Sequence, residues 1–327
     1  MTWLLIILLM NLGGYVPGKG LPPPSAGSPP GQIRIWGPPQ LADVASAWEA
    51  GFEEANPDVD VLLHFTGSDT AMAGLYTAKA DIALIGRDAT DAEQKAFEWV
   101  FRYRARQIPV LNGSVNSEGQ SPAIAVLVHP DNPIKEITAS QLSRALLTES
   151  AELSWSDIGI SGGLAGQPVQ VFMPQAESGT GRFLRARLIS GEIRLQWERI
   201  TEFEDSAAQG AEDNASTRAA EAVARTPGGL AFGIAGVPGT KTVPVRNQMD
   251  TSKVPEFSSI QSGEYFLSRQ VNAYVNAPDG SGVDEGVQRF LEFVLSEAGQ
   301  NSAGKVSDFI PLSENGRTSS RALVLRD

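Results

Sequence analysis

The alternation of elements between residues 33 and 86 constrains this chain more than any other stretch. Ile33-Arg34-Ile35-Trp36-Gly37 reads as a strand that ends in a turn. Residues 41–55 then place Leu41, Val44, Ala45, Trp48 and Phe52 at helical spacing. Asn56-Pro57 stops that helix. Residues 59–65 read as a second strand, Gly67-Ser68-Asp69-Thr70 as a turn, residues 71–80 as a second helix and residues 81–86 as a third strand. This β-α-β-α-β order predicts an α/β protein with an open, mostly parallel sheet covered by helices on both faces. Ligands of such sheets sit at the carboxyl ends of the strands. The turns at residues 37–40, 67–70 and 86–88 are therefore expected along one edge.

The middle of the chain repeats the theme. Residues 124–128 are apolar enough for a buried strand, and residues 138–147 follow with helical spacing. A strand over 169–173 leads into Glu177-Ser178-Gly179-Thr180-Gly181-Arg182 and then a helix over 183–189. A Ser-Gly-Thr turn opening a helix gathers two hydroxyls and several free N–H groups where the helix carries partial positive charge. That is the chemistry of an anion site, although Ser and Thr are also ordinary helix caps. A helix over 217–224, a strand over 229–233, a strand pair over 265–276 and an amphipathic helix over 286–295 complete the reading. Trp155 reads as a packing residue, and His64 and His129 as structural ones.

Composition narrows the function. The 327 residues exceed what one compact core usually holds, so two domains are expected. A formal net charge of −12 argues against a nucleic-acid partner and against a polybasic membrane contact. Without cysteine, disulfides, thiolate metal sites and cysteine nucleophiles are excluded. Two histidines leave no zinc cluster to build, and no cofactor is expected. Gly159-Ile160-Ser161-Gly162-Gly163 matches a hydrolase pattern, yet no strand leads into it, no helix follows and no His lies downstream. No phosphate-cradling GxxxxGK[ST] or GxGxxG follows a strand. The residues therefore offer no catalytic constellation. Residues 3–10 form an unbroken apolar run, too short to span a bilayer but suited to a signal-peptide core. No Lys or Arg precedes the run and no clear cleavage site follows it, so export through an atypical signal or anchor segment is expected. Residues 17–31 are rich in Pro, Gly and Ser and read as a linker.

Read in order, these motifs resemble the phosphate-binding subunits of bacterial ABC transporters, the PstS-type periplasmic binding proteins. The resemblance is carried by Gly67-Ser68-Asp69-Thr70 with Ala80-Asp81-Ile82-Ala83, by Gly86-Arg87 with Glu93, and by Val128-His129-Pro130-Asp131-Asn132-Pro133 with Trp155-Ser156-Asp157-Ile158-Gly159. Ser178-Gly179-Thr180, residues 226–233, Leu267-Ser268-Arg269 with Tyr274-Val275-Asn276, and residues 290–300 with Ile310-Pro311-Leu312 continue it. It implies a two-lobed α/β fold with two open, mixed or parallel sheets joined by two hinge strands. Residues 1–31 would be the signal and linker, residues 32–122 plus 246–327 one lobe, and residues 123–245 the other. It further implies a periplasmic or secreted monomer, not an enzyme, that hands a tetrahedral oxyanion such as inorganic phosphate to an ABC permease.

The resemblance carries site residues one by one. Ser68 would give a hydroxyl and Asp69 and Thr70 backbone N–H groups from one lobe, with Ser178, Gly179 and Thr180 from the other. Three departures stand out. The first-strand turn is Gly37-Pro38-Pro39-Gln40, where two prolines remove donors and leave the Gln40 amide as the replacement. An arginine often found shortly before the Ser-Gly-Thr is Pro174 here, so Arg87 or Arg182 would have to supply the charge; each also reads as a surface residue. The carboxylate that accepts the proton of a protonated phosphate would be Asp69 or Asp88. These departures keep open an alternative, a sensory or scaffold protein on the same fold with altered or lost phosphate binding.

Overall fold

The computed structural model describes residues 30–326 except 118, 148–152, 190–193, 206–214, 248–249, 279 and 281. The apolar run at 3–10 and the linker through residue 29 lie outside the described residues. The chain opens with β1 (Gln32–Gly37), α1 (Ala42–Ala55), β2 (Asp60–Phe65), α2 (Ser68–Tyr76), β3 (Ile82–Ile85), α3 (Asp91–Phe101) and β4 (Arg106–Asn112). The apolar stripe read from the sequence is the one α1 buries, with Val44, Trp48 and Phe52 each 1% exposed. The Trp48 indole N–H also donates to the Gly299 carbonyl at 2.8 Å, so its burial leaves no unsatisfied donor. Neither α3 nor β4 was expected from the alternation. The start of α3 is nonetheless written locally, because Thr90 and Glu93 form a reciprocal capping box.

The second part comprises β5 (Ala125–Val128), β6 (Ile137–Thr138), α4 (Ala139–Leu146), β7 (Gln170–Pro174), α5 (Gly179–Leu188), β8 (Ile200–Phe203), α6 (Ala215–Ala224), β9 (Gly229–Gly233) and β10 (Lys241–Thr242). After the short β11 (Val245–Arg246), β12 (Ser252–Lys253) and α7 (Phe257–Gln261), the chain returns through β13 (Gln270–Val275) and ends in α8 (Glu285–Val294), α9 (Glu297–Val306) and α10 (Glu314–Val324). Two five-stranded sheets result, ordered β2-β1-β3-β13-β4 and β10-β5-β9-β7-β8, with a small β12-β11-β6 sheet beside them. In the first, β1 runs parallel to β2 and β3, and β13 pairs antiparallel with β3 and β4. In the second, β7 is parallel to β8 and β9, while β5 is antiparallel to β9 and β10. The fold is thus mixed α/β with two open mixed sheets. Each sheet has its own cores, one around Ile33, Trp48, Ile108 and Phe290 and another around Val126, Trp155, Val171 and Phe232.

Two expectations are corrected. The turn at 67–70 is already helical from Ser68, so α2 starts three residues earlier than the apolar spacing suggests. Polar residues in the first turn carry no apolar signal, which is why periodicity misses them. The strand pair expected over 265–276 is a single strand, β13. The residues before it are held by tertiary contacts instead: buried Tyr265 donates its hydroxyl to the Ile124 carbonyl at 2.6 Å.

The two passages between the sheets lie side by side. Gly113 N–H donates to the Arg269 carbonyl at 2.9 Å, and Ile124 N–H to the Leu267 carbonyl at 3.1 Å. Gly113 is required there, since a Cβ would fall 1.9 Å from the Ser121 carbonyl oxygen. Ile260, Tyr265 and Leu267 belong to the second sheet's core, and Val271 to the first sheet's.

Candidate functional site

A cleft of about 620 Å³ opens where the carboxyl ends of the parallel strands in both sheets converge. Pro38 follows β1, Ser68 follows β2, Gly86 follows β3, Gly179 and Thr180 follow β7, and Asp205 follows β8; all line it. Ser121 and Arg269 add groups from the two passages between the sheets. This is the edge that the alternating pattern designates for ligands.

The second sheet contributes the start of α5. Ser178 is its N-cap, and its hydroxyl accepts the Gly181 N–H at 3.0 Å. Gly179 and Thr180 occupy the first two helical positions, whose amides have no acceptor within the helix. Glycine at 181 is obligatory, because a Cβ would lie 2.2 Å from the Gln175 carbonyl oxygen. The first sheet contributes the start of α2. Here the cap is Gly67, with no side-chain cap bond, and the Ser68 hydroxyl is not engaged by any described residue. Thr70 turns inward on its own turn, donating to the Gly67 carbonyl at 2.7 Å and lying 2.9 Å from the Thr66 hydroxyl.

The structure thus brings together Gln40, Ser68, Arg87, Gly179 and Thr180 on one cleft, with Arg182 at its margin. Asp69, Thr70 and Ser178 are not among the lining residues. Asp69 has a side chain 91% exposed and ion-pairs with Arg87 at 2.7 Å. Arg182 also lines a neighbouring cavity of about 380 Å³ with Asp69, Thr90 and Glu93.

The arginines differ sharply. Arg87 is fully committed: its Nη atoms donate to both Glu93 carboxylate oxygens at 2.8 Å, to Asp69 at 2.7 Å and to the Asp88 carbonyl at 3.1 Å. Burial opposes its charge, but Glu93 and Asp69 outweigh that and raise its pKa. Burial likewise works to raise Glu93, yet the hydrogen bonds from Arg87 and Thr90 hold it below the usual carboxylate range. Arg269 has no such partners. Its Nη1 reaches the Thr180 hydroxyl at 3.3 Å and its Nη2 the Gly86 carbonyl at 3.4 Å, while buried Nε has no acceptor. Burial, joined by repulsion from Arg87 and only partly offset by Asp88 and Asp205, pushes its pKa down to about 10. Sequence reasoning did not single out Arg269 as a site residue; its being the one charged residue between Glu264 and Asp279 was the available signal. Asp88 accepts from Gln107 at 2.8 Å and from Asn272 at 3.5 Å through one carboxylate oxygen.

The remaining candidates have structural surroundings. His64 packs against Trp36 in a tilted arrangement with ring centroids 4.3 Å apart, His129 Nδ1 accepts the Asp131 N–H at 3.2 Å, and Trp155 is fully buried. Ser161 sits in a loop, not on a strand-to-helix elbow. Among the described residues no cluster of metal-ligating side chains occurs, and no helix is long and apolar enough to cross a membrane.

Comparison with known proteins agrees with this geometry. The chain is 28% identical over 292 residues to the phosphate-binding protein PstS of Pseudomonas aeruginosa, covering 86% of this chain and 83% of that protein. Its fold is similar to the crystal structure of PstS from Borrelia burgdorferi, with a TM-score of 0.56 at 17% identity, covering 86% of this chain and 99% of that one. An ABC-type phosphate transport receptor from Vibrio cholerae is similar as well, with a TM-score of 0.54 at 17% identity over 85% of this chain and 99% of that one. A family model described as a PBP superfamily domain matches residues 24–298, most of the chain, and with both sheets and the cleft between them accounted for, the chain belongs to the PBP superfamily.

Proposed function

We propose that this protein is an extracytoplasmic solute-binding protein that captures a tetrahedral oxyanion, inorganic phosphate, and delivers it to an ABC permease. The observation that carries this reading is the convergence of two helix starts, with the Ser68 and Thr180 side chains, on one cleft that also holds Arg269. Neutral hydroxyls and helix-start amides are the donors that a desolvated anion requires, and a buried guanidinium with vacant donor capacity adds the charge. The relative named as a phosphate-binding protein supports the choice of anion. The reading makes the protein a carrier and not an enzyme, acting as a monomer, exported through its N-terminal segment.

In this reading residues 32–122 with 246–327 form one lobe and residues 123–245 the other, closing over the ligand by hinge motion. The packing of Ile260, Tyr265 and Leu267 into the second core supports moving the return boundary to about residue 268. Gln40, Ser68, Gly179 and Thr180 are the ligand donors, with Asp69 and Thr70 contributing through the first turn of α2. Ser178 acts as the cap that shapes the α5 turn. Asp88 is favoured over Asp69 as proton acceptor, since Asp69 is exposed and tied to Arg87.

Calorimetric titration of ligand-stripped protein with phosphate, on either side of neutral pH and with sulfate as control, tests the proposal. Tight phosphate binding without sulfate binding is expected. Pro38, which lines the cleft without an N–H to offer, favours the second reading, a sensory or scaffold protein. Absence of heat with both anions would put that reading first.

A further inference from the structure

The cleft contains two guanidinium groups over the start of α5, and their surroundings assign them different work. A Cβ placed on Gly179 would lie 4.0 Å from Arg269 Nη2 and 4.0 Å from Arg87 Cδ, so both side chains approach the same helix start. Arg87 reaches it already neutralised by two carboxylates, Glu93 and Asp69. An anion arriving there would have to compete with bonds of 2.7 and 2.8 Å. Arg269 reaches it with two long contacts, one to each sheet's turn, and with a buried N–H that has no acceptor at all. A buried donor left without a partner is costly, and natural structures seldom keep one that nothing uses. Among the described residues no carboxylate pairs with Arg269. The charged groups around it are Arg87, Asp88, Asp205 and, on the cleft wall, Arg182. Asp205 is itself occupied, accepting the Ala215 N–H at 3.0 Å.

Given the oxyanion reading above, on which this rests, we infer that Arg269 is the guanidinium that meets the bound anion and that Arg87 is a structural ion-pair hub. Arg269 is placed for this by the hinge. Its own carbonyl is bonded to Gly113 of the other passage, so its backbone is fixed where the two sheets join. Its side chain touches Gly86 of the first sheet and Thr180 of the second, the two turns that a closing motion would bring onto a ligand. An anion would supply the missing acceptor to Nε and replace two long contacts with charge-assisted ones. The depressed pKa agrees with an environment that is incomplete without a negative charge.

The test compares Arg269→Gln, Arg269→Lys and Arg87→Gln by phosphate calorimetry and thermal melting of the ligand-free proteins. Arg269→Gln should weaken phosphate binding by about a hundredfold with no loss of melting temperature. Arg269→Lys keeps the charge without the planar fork, holds the fold if the Gln variant does not, and should lose about tenfold. Arg87→Gln should lower the melting temperature and change affinity by less than about tenfold. In protein labelled at arginine with 15N, the Arg269 Nε–H resonance, identified by its loss in Arg269→Lys, should move on adding phosphate. Binding by both Arg269 variants within about threefold of wild type, with an unmoved Nε–H signal, would overturn the assignment while leaving the phosphate reading intact. Wild-type heat with sulfate or arsenate but not phosphate would defeat only the phosphate reading, and Arg269→Gln must then abolish that heat. No heat with any of these anions would overturn both.

Discussion

The two helix starts that face the cleft solve the same problem by different means. At α5 the first hydroxyl, Ser178, accepts the Gly181 N–H as the helix cap and is not among the cleft-lining residues, and the next one, Thr180, lines the cleft. At α2 the cap is a glycine with no side chain to spend, and the first hydroxyl, Ser68, lines the cleft. The α5 turn is locked from within, by a cap and by a glycine with no room for a Cβ. The α2 turn is braced from outside, through Asp69 to Arg87 and onward to Glu93 of α3. The lesson is that capping engages a hydroxyl's lone pair and leaves its O–H to donate, so placement on the cleft, not capping, decides which hydroxyl meets a ligand.

Several substitutions would break or sharpen this comparison. The largest effect is expected from Gly181→Val, which drives side-chain atoms into the Gln175 carbonyl. It should cost about 3 kcal/mol in denaturant unfolding and eliminate phosphate binding by calorimetry. Retained affinity would mean that the locked α5 turn is not part of the site. Next come Thr180→Val and Ser68→Ala, the matched pair of cleft-lining hydroxyl residues. Each should weaken phosphate by about thirtyfold without altering the melting curve, the worth of a hydrogen bond to a charged group. Both hydroxyls share one anion in this reading, so the combined loss should depart from the product of the single losses; a loss equal to that product would show that the two turns act independently. Ser178→Ala removes the α5 cap at a position that is not among the cleft-lining residues. It should cost about 1 kcal/mol of stability and change affinity by less than about threefold. An affinity loss matching that of Thr180→Val would restore Ser178 as a direct ligand. The smallest effect concerns the external brace. Glu93 has its pKa lowered in the fold, so its stabilisation is complete above the unfolded value of about 4.3 and is lost as pH falls through the lower folded value. Melting temperature should therefore fall on acidification below about pH 4, and fall less steeply in Glu93→Gln.

Field and site also contrast. The protein as a whole is strongly anionic, yet Arg87, Arg182 and Arg269 all line the cleft. Net charge speaks to partners met at long range. It says little about a pocket, because water and salt screen the distant surface charges while the nearest few groups act at short range.

Much of this molecule was legible in the residues. The strand-helix alternation from β1 to β3, the stripe of Val44, Trp48 and Phe52, and the Ser178 turn are local signals, written within a few residues of where they act. They gave the α/β class and the edge on which a ligand would sit. The capping box at Thr90 and Glu93 was equally legible and marks α3, which the apolar pattern alone did not reveal. Which groups on that edge remain free was not legible. Asp69 and Arg87 lie 18 residues apart and neutralise one another; Arg269 and Thr180 lie 89 apart and meet across the cleft. Hydrogen-bond capacity is finite, and its allocation depends on every partner that folding brings within reach. The sequence by itself determined the elements, the edge and the donor-rich turns, because backbone preference and side-chain periodicity act locally. Only the tertiary structure decided that Arg87 is occupied and that Arg269 Nε is not, because burial and ion pairing are properties of neighbours in space.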